Sequence, residues 1–475
     1  MTKLAAKHLE MLQQIAGPRG AITDPAQMTP FLIEPRDKYQ GETPLILLPD
    51  STEKVAALVG YCAEHKIPMV PQGGNSGLVG GGIPTAEGAE ILISLKRMHH
   101  IRALDVQNQT MTVEAGCILA DVQARAKQEN CLFPLSLAAE GSCMIGGNIS
   151  TNAGGVNVLQ YGNMRDLVLG LEAVLPDGEI WRGLSGLRKN NTGYDLKQLF
   201  IGGEGTLGIV TAATVKLFPY PHEKQTAFVA VPDPRAAVSL LTLARAISGD
   251  CITAFEIMPR LGLEIITRHL PGNRDPLQAG YDWYILLECA SSLSRDLLDL
   301  EQVMERILTE AMEQGLVLDG VIAKNQAESA NLWRLRENMS EAQKFEGGSI
   351  KHDVSVPISA IPEFLKRAGA VVEQAIPGAR PVPFGHIGDG NLHYNISQPV
   401  AMDKQQFLDH WSDLNRKVHD VVEEFGGSFS AEHGIGRMKT GDMQRYKSAV
   451  EMALMRRIKA ALDPDNIMNP GVIIK

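Results

Sequence analysis

Residues 198–218 read QLFIGGEGTLGIVTAATVKLF, and the class of ligand the chain can bind turns on this stretch. Gly203-Glu204-Gly205-Thr206-Leu207-Gly208 matches the spacing GxGxxG. In a nicotinamide-binding unit that motif opens a helix, with an acidic residue about 20 positions on. Here the motif runs into IVTAATVKLF, β-branched and alternating, which is the pattern of a strand. The nicotinamide reading therefore fails on context. Glu204, Gly208, Ile209 and Val210 still read as part of a backbone pressed against a ligand.

Two more glycine clusters lie upstream. Pro71-Gln-Gly-Gly-Asn-Ser-Gly-Leu-Val-Gly-Gly-Gly82 comes after the strand-like MVP. Successive glycine N–H groups can turn inward as an anion-binding nest, as a pyrophosphate requires. Asn75 and Ser76 add side-chain donors, and Pro71, Gly73, Gly74, Gly77 and Leu78 complete the candidate contacts. The second cluster, AEGSCMIGGNISTNAGG at 139–155, is polar yet uncharged after Glu140. Its small residues suit a wall beside a flat polar ring, with Ser142, Gly146, Gly147, Asn148, Thr151, Asn152, Gly154 and Gly155 as candidates. Either cluster alone can be a turn. Three in the first half of one chain point to a large dinucleotide.

The rest of the chain narrows the function classes. It has 475 residues, 44% hydrophobic and 21% charged, enough for two or three domains with large cores. Net charge is −10 and no basic run occurs, which speaks against a nucleic-acid partner. No window holds 18 consecutive apolar residues, so no membrane span is expected. The N-terminus lacks a continuous apolar core. Leu4, His8, Met11, Leu12 and Ile15 instead recur at helical spacing, as in a surface helix rather than a signal peptide. Six scattered cysteines with no CxxC pair fit reduced thiols in a cytoplasmic protein.

After Pro221 the rhythm changes to β-α-β-β-α-β: strands at 227–232, 252–257, 283–289 and 316–323, with helices at 234–248 and 293–315. A helix at 327–343 comes next. A second such unit has strands at 349–357, 380–387, 391–396 and 427–431, with helices at 358–375 and 404–426. Two split units of this kind can share one antiparallel sheet with helices on one face. The expected domains are 1–221, 222–448, and a C-terminal segment 449–475.

Three groups in the second half carry candidate chemistry. His386 and His393 flank the Gly388-Asp389-Gly390 turn, and His393 and Asn395 share one face of a strand. Glu432 and His433 are adjacent, with Gly434 and Gly436 close behind. Two histidines and a carboxylate make an open zinc or manganese shell, which would leave His433 as a base. Arg336 and Ser340 share a helix face, and Lys351 opens a strand. Arg336 and Lys351 converging on one spot would hold a carboxylate. Each group taken singly also reads as ordinary structure.

Together, PQGGNSGLVGGG, GGNISTNAGG, GGEGTLGIVT, HIGDGNLHYN, AEHGIGRMK and NPGVII resemble, in order and from about residue 35 onward, the FAD-linked oxidases of the vanillyl-alcohol-oxidase and p-cresol-methylhydroxylase type. The nearest resemblance is to the D-2-hydroxyglutarate and D-lactate dehydrogenase branch. The resemblance implies an α+β chain: a two-subdomain FAD-binding domain, and a substrate domain whose antiparallel sheet is flanked by helices. It implies His386, His393 and Glu432 as ligands of a divalent metal, zinc or else manganese. His433 becomes the base, Asn395 a substrate contact, and Arg336, Ser340 and Lys351 the holders of a substrate carboxylate. Threonine is common where Ser340 stands. Some relatives attach flavin through a histidine in the first loop. None lies between Pro71 and Gly82, so non-covalent FAD is expected.

The implied reaction is oxidation of a small 2-hydroxy acid, D-2-hydroxyglutarate favoured, with a D-lactate dehydrogenase or a glycolate-type oxidase as the alternatives. An electron-transfer flavoprotein or quinone-linked carrier is the implied acceptor, and a homodimer is common among relatives. A zinc hydrolase with merely structural glycine loops, or a non-catalytic nucleotide sensor, is the competing reading. Both predict a protein that no hydroxy acid can bleach.

Overall fold

In the computed structural model, which describes residues 4–475, Ser51 caps a helix of the first unit. Its hydroxyl accepts the Lys54 N–H (3.3 Å) at the start of Thr52–Glu64. That helix buries Val55, Leu58, Val59 and Cys62 in one cluster with Leu45, Leu47, Met69, Ile91 and Ile93. Most of these last belong to a four-stranded sheet ordered Ala21–Ile22, Ile46–Leu47, Ile91–Ser94, Met69–Gln72. Its last three strands are parallel and mostly buried, as strands covered on both faces must be. The N-terminal helix forms over Ala6–Ala16 with Leu12 and Ala16 buried, and residues 1–3 of that stretch lie outside the described residues.

Next along the chain is a five-stranded antiparallel sheet, ordered Ile101–Asp105, Thr110–Glu114, Ile209–Lys216, Val168–Val174, Ile180–Gly183. Its central strand is the run after GEGTLG, so a strand stands where a nicotinamide site needs a helix. By its contacts, this first unit comprises the described residues up to Gly155, Gly162–Tyr220 and Glu432–Lys475. The return thus starts at Glu432, ahead of the expected position 449, while Val156–Tyr161 groups with the second unit. The tail pairs with the sheet edge: Met69 N–H donates to Ile467 O and Asn469 N–H to Met69 O, both 2.8 Å. Buried Lys459 holds it there, donating to Asp463 Oδ2 (2.5 Å), Met468 O (2.6 Å) and Thr206 O (2.8 Å).

The second unit, Pro221–Ala431 with Val156–Tyr161, contains two four-stranded antiparallel sheets. One is ordered Ile252–Pro259, Trp283–Ser291, Glu223–Val231, Asp319–Ile322. The other centres on Asn391–Ser397, paired with Ser349–Ile350, Asp353–Ser355 and Arg380–Phe384. The two meet where Ile257 and Gly385 exchange backbone hydrogen bonds of 2.9 and 3.1 Å. The helix expected at 234–248 forms over Pro234–Ser248, capped by Asp233, which accepts the Ala236 N–H at 2.8 Å.

Several elements differ from the sequence reading. The helix expected from 293 starts at Leu300, because Asp299 accepts the N–H groups of Glu301 and Gln302 and sets its first turn. A helix at Arg260–His269 lies between two strands expected to be joined directly. It and Gln326–Glu337 cover Phe228, Ala230, Met258, Tyr284 and Leu286, so helices lie on both faces of the first sheet rather than one. The expected strand 349–357 breaks at Lys351–His352, where His352 Nδ1 bonds the Tyr394 carbonyl (2.8 Å). Residues 427–431 contribute a single bridge, Ser355 to Ser428, instead of a strand.

Lys459→Met leaves buried Asp463 without its cation, a loss of about 3–5 kcal/mol for a broken buried pair. A lowered denaturation midpoint is expected; a midpoint equal to wild type contradicts the clamp.

Candidate active site

The glycine clusters of the first unit surround one cavity that opens in part to solvent. Pro71, Gly73, Gly74, Asn75, Ser76 and Gly77 line it from the first loop. Gly146, Gly147, Asn148 and Thr151 line it from the second, and Glu204, Gly208, Ile209 and Val210 from the third. The glycines do two different jobs there. A Cβ at Gly74 would sit 2.1 Å from Ser142 O, so this glycine lets the loops touch. A Cβ at Gly77 or Gly147 would meet nothing within 4 Å, so these keep the wall bare.

Five candidates do not line the cavity, and their contacts show why. Leu78 presents its carbonyl to Arg36 Nη2 at 2.5 Å. Ser142 bonds its own turn through Ala139 O. Asn152 accepts the Arg165 N–H (2.8 Å). Gly155 packs so closely that a Cβ would lie 1.9 Å from Ser136 O, and Gly154 precedes it in the chain. Sequence reasoning passed over Gln72, Gly80–Gly82, Cys143, Met144, Ser150 and His433 as wall residues. Gln72 and the glycines continue the first cluster, so a wider reading of that loop would have found them.

Polar clamps hold the loops. The Glu204 carboxylate accepts the N–H groups of Ile435 and Gly436, both at 2.7 Å, anchoring the segment just beyond His433. Burial pushes this carboxyl up to about 7 against the pull of those two N–H groups. Asn469 donates to Gly81 O (2.9 Å) and Glu204 O (2.7 Å), joining first loop to third.

In the second unit, Arg380–Phe384 and Asn391–Ser397 form a hairpin that sets Phe384 opposite His393. Within its turn, the N–H groups of Asp389 and Gly390 return to His386 O. The His386 and His393 rings stand 5.8 Å apart, centroid to centroid. Ala431 donates to Asp353 O (3.3 Å), and Glu432 is the next residue along. His386 and His393 thus share one hairpin of the second unit, while Glu432 opens the segment that returns to the first. His386 Nδ1 meets Glu256 Oε1 at 2.6 Å, a contact that orients the ring. As a donor set, two imidazoles and a carboxylate are of the chemical type that holds a divalent cation.

Glu256 was missed in the sequence, although a lone carboxylate in the apolar strand ITAFEIMP was its signal. It is fully buried, and its other oxygen accepts Arg336 Nε at 2.5 Å. Burial would raise its carboxyl; the Arg336 guanidinium and the His386 ring outweigh that and hold it at about 2. Arg336 also lies over the Phe384 ring, 4.9 Å from its centroid. Ser340 is not on the same helix as Arg336: Gln326–Glu337 ends at Asn338 and Met339–Ala342 begins. Lys351 Nζ nevertheless reaches Ser340 O at 3.3 Å. Asn395 is buried and donates to Gln343 Oε1 (2.7 Å).

This is the architecture of a flavin-dependent oxidoreductase. Residues 43–183 match the FAD binding domain family, and residues 220–473 match the family described as FAD linked oxidases, C-terminal domain. The chain belongs to the FAD-linked oxidase family, and FAD is its cofactor. It is 37% identical over 473 residues to the mitochondrial D-2-hydroxyglutarate dehydrogenase of Arabidopsis thaliana, covering 100% of this chain and 82% of that one. It is also 37% identical over 464 residues to the D-2-hydroxyglutarate dehydrogenase of Xanthomonas citri pv. viticola, covering 98% and 96%. Substrate-bound p-cresol methylhydroxylase shares the fold at 18% identity, with a TM-score of 0.74 over 98% of this chain and 96% of that one.

Glu204 gives a pH signature. A carboxyl whose folded value (about 7) exceeds its ordinary 4.5 stabilises below the lower value and loses that contribution as pH rises through the upper one. Wild-type stability relative to Glu204→Gln is expected to fall by up to about 3 kcal/mol from about pH 4.5 to 7.5. A constant difference across that range contradicts the assignment.

Proposed function

We propose that the protein oxidises a D-2-hydroxy acid, D-2-hydroxyglutarate foremost, to the 2-oxo acid, with FAD as electron acceptor and a divalent cation at His386, His393 and Glu432. The observation that carries the reading is an adjacency in the chain. Glu432, third member of the candidate metal cluster, is bonded to His433, which lines the glycine-walled cavity. The substrate class draws support from the plant and bacterial relatives, both named D-2-hydroxyglutarate dehydrogenase.

Bound FAD would supply a hydride acceptor at N5, and a bound cation would supply Lewis acidity toward the substrate's carboxylate and hydroxyl. His433 takes the hydroxyl proton, a role worth about 10²–10⁴-fold. Loss of that proton and of the C2 hydrogen with its electron pair turns the alcohol into a carbonyl. Arg336 and Lys351 bind the distal carboxylate. Glu256 occupies only Nε of Arg336, and the guanidinium has four further N–H bonds on its terminal nitrogens. Lactate has no distal carboxylate to meet these two cations, which favours a diacid over it.

Anaerobic titration of the yellow holoenzyme tests the reading. D-2-hydroxyglutarate should bleach the flavin band at lower concentration than D-lactate or glycolate. A colourless protein, or one bleached by none of the three, contradicts it. His433→Ala should keep its flavin spectrum and lose about 100-fold or more in bleaching rate. A rate within twofold of wild type removes His433 as the base.

A further inference from the structure

Glu256 takes no part in the proposed chemistry, yet it touches both halves of the recognition apparatus. It lies on Ile252–Pro259, one residue before Ile257. The antiparallel bridge of Ile257 with Gly385 sets residue 256 across from residue 386. One carboxylate oxygen then meets His386 Nδ1 at 2.6 Å and the other meets Arg336 Nε at 2.5 Å. Both contacts are buried: the side chains of Glu256, His386 and Arg336 are 1%, 9% and 11% exposed.

The chemistry of each contact is specific. A carboxylate on Nδ1–H selects the tautomer that presents Nε2, and partners of this kind change metal affinity by about 10–100-fold when removed. A carboxylate on Nε–H turns the guanidinium plane and directs its terminal N–H groups. Phe384, beneath the same guanidinium, restricts that plane further.

We propose that Glu256 is a positioning residue that couples cation binding to recognition of the distal carboxylate, orienting His386 and Arg336 through one buried carboxylate. The proposal rests on the function proposed above and adds a shared determinant to it. One residue therefore controls two measurable properties, Zn²⁺ affinity and the preference for a diacid over a monoacid.

The test uses flavin-loaded wild type, Glu256→Ala, Glu256→Gln and Glu256→Asp. Zn²⁺ affinity is measured by competition with a chelator, and KM and kcat are measured for D-2-hydroxyglutarate and D-lactate. The flavin spectrum and unfolding midpoint identify the variants that fold. Glu256→Ala should lose about 10–100-fold in Zn²⁺ affinity. It should also lose about tenfold or more of its diacid preference, mainly through KM for the diacid. In Glu256→Gln the single carbonyl oxygen can serve one partner only, so at least one property should fall by the same measure. Glu256→Asp keeps both oxygens and should recover part of each relative to alanine.

A folded Glu256→Ala or Glu256→Gln with both properties within twofold of wild type overturns the proposal, as does an alanine variant in which only one moves. Should Glu256→Ala fail to fold, the glutamine and aspartate variants decide by the same criteria. Wild type that binds no Zn²⁺ and shows no diacid preference sinks the parent reading and the proposal with it. Wild type that has both, beside unchanged variants, sinks the proposal alone.

Discussion

Two backbone hydrogen bonds, exchanged by Ile257 and Gly385, set the register on which the second unit's chemistry depends. This bridge joins the edges of its two sheets, which share one apolar core with their helices. Side chains alternate along a strand, so a one-residue slip would turn Glu256 to the opposite face. Its carboxylate would then be buried without Arg336 or His386, at a cost of several kcal/mol. The ion pair therefore guards the register as the register makes the ion pair. Gly385 has φ +136° at the crossing, where an L side chain is strained.

The first unit solves a different problem. Glycine loops offer N–H groups at close range but have almost no side chains with which to pack themselves. The chain's last segment supplies what they lack. Arg437, nearly buried, donates to Ile83 O, Pro470 O and Glu90, and Glu90 in turn holds Thr85 beside the first loop. With Asn469, Lys459 and the Glu204 carboxylate, these contacts fix bare backbone in place by hydrogen bonds rather than by apolar packing. A wall so held can be both accessible and rigid, as a site for a cofactor must be.

Much of this could be read from the chain because the decisive features are local. A strand after GEGTLG needed only β-branched alternation, and the glycine clusters announced themselves by density. His386 and His393 flank one turn, and Glu432 stands among glycines. The features that escaped reading depend on distant partners. Glu256 meets His386 130 positions away and Arg336 80 away, so nothing nearby gave its carboxylate a purpose. The break at Lys351–His352 arises from His352 bonding Tyr394 O, and the roles of Leu78 and Asn152 come from Arg36 and Arg165. The amphipathic helix Arg260–His269 was local but short, and it hides between two strands read as neighbours.

The proposed function requires His386, His393 and Glu432 to bind one divalent cation together. Crystals of the holoenzyme grown with Zn²⁺ and measured across the zinc absorption edge test it most directly. The expected result is one anomalous peak within bonding distance, about 2.0–2.2 Å, of His386, His393 and Glu432 together. No peak at that position, or one touching a single ligand, would contradict it.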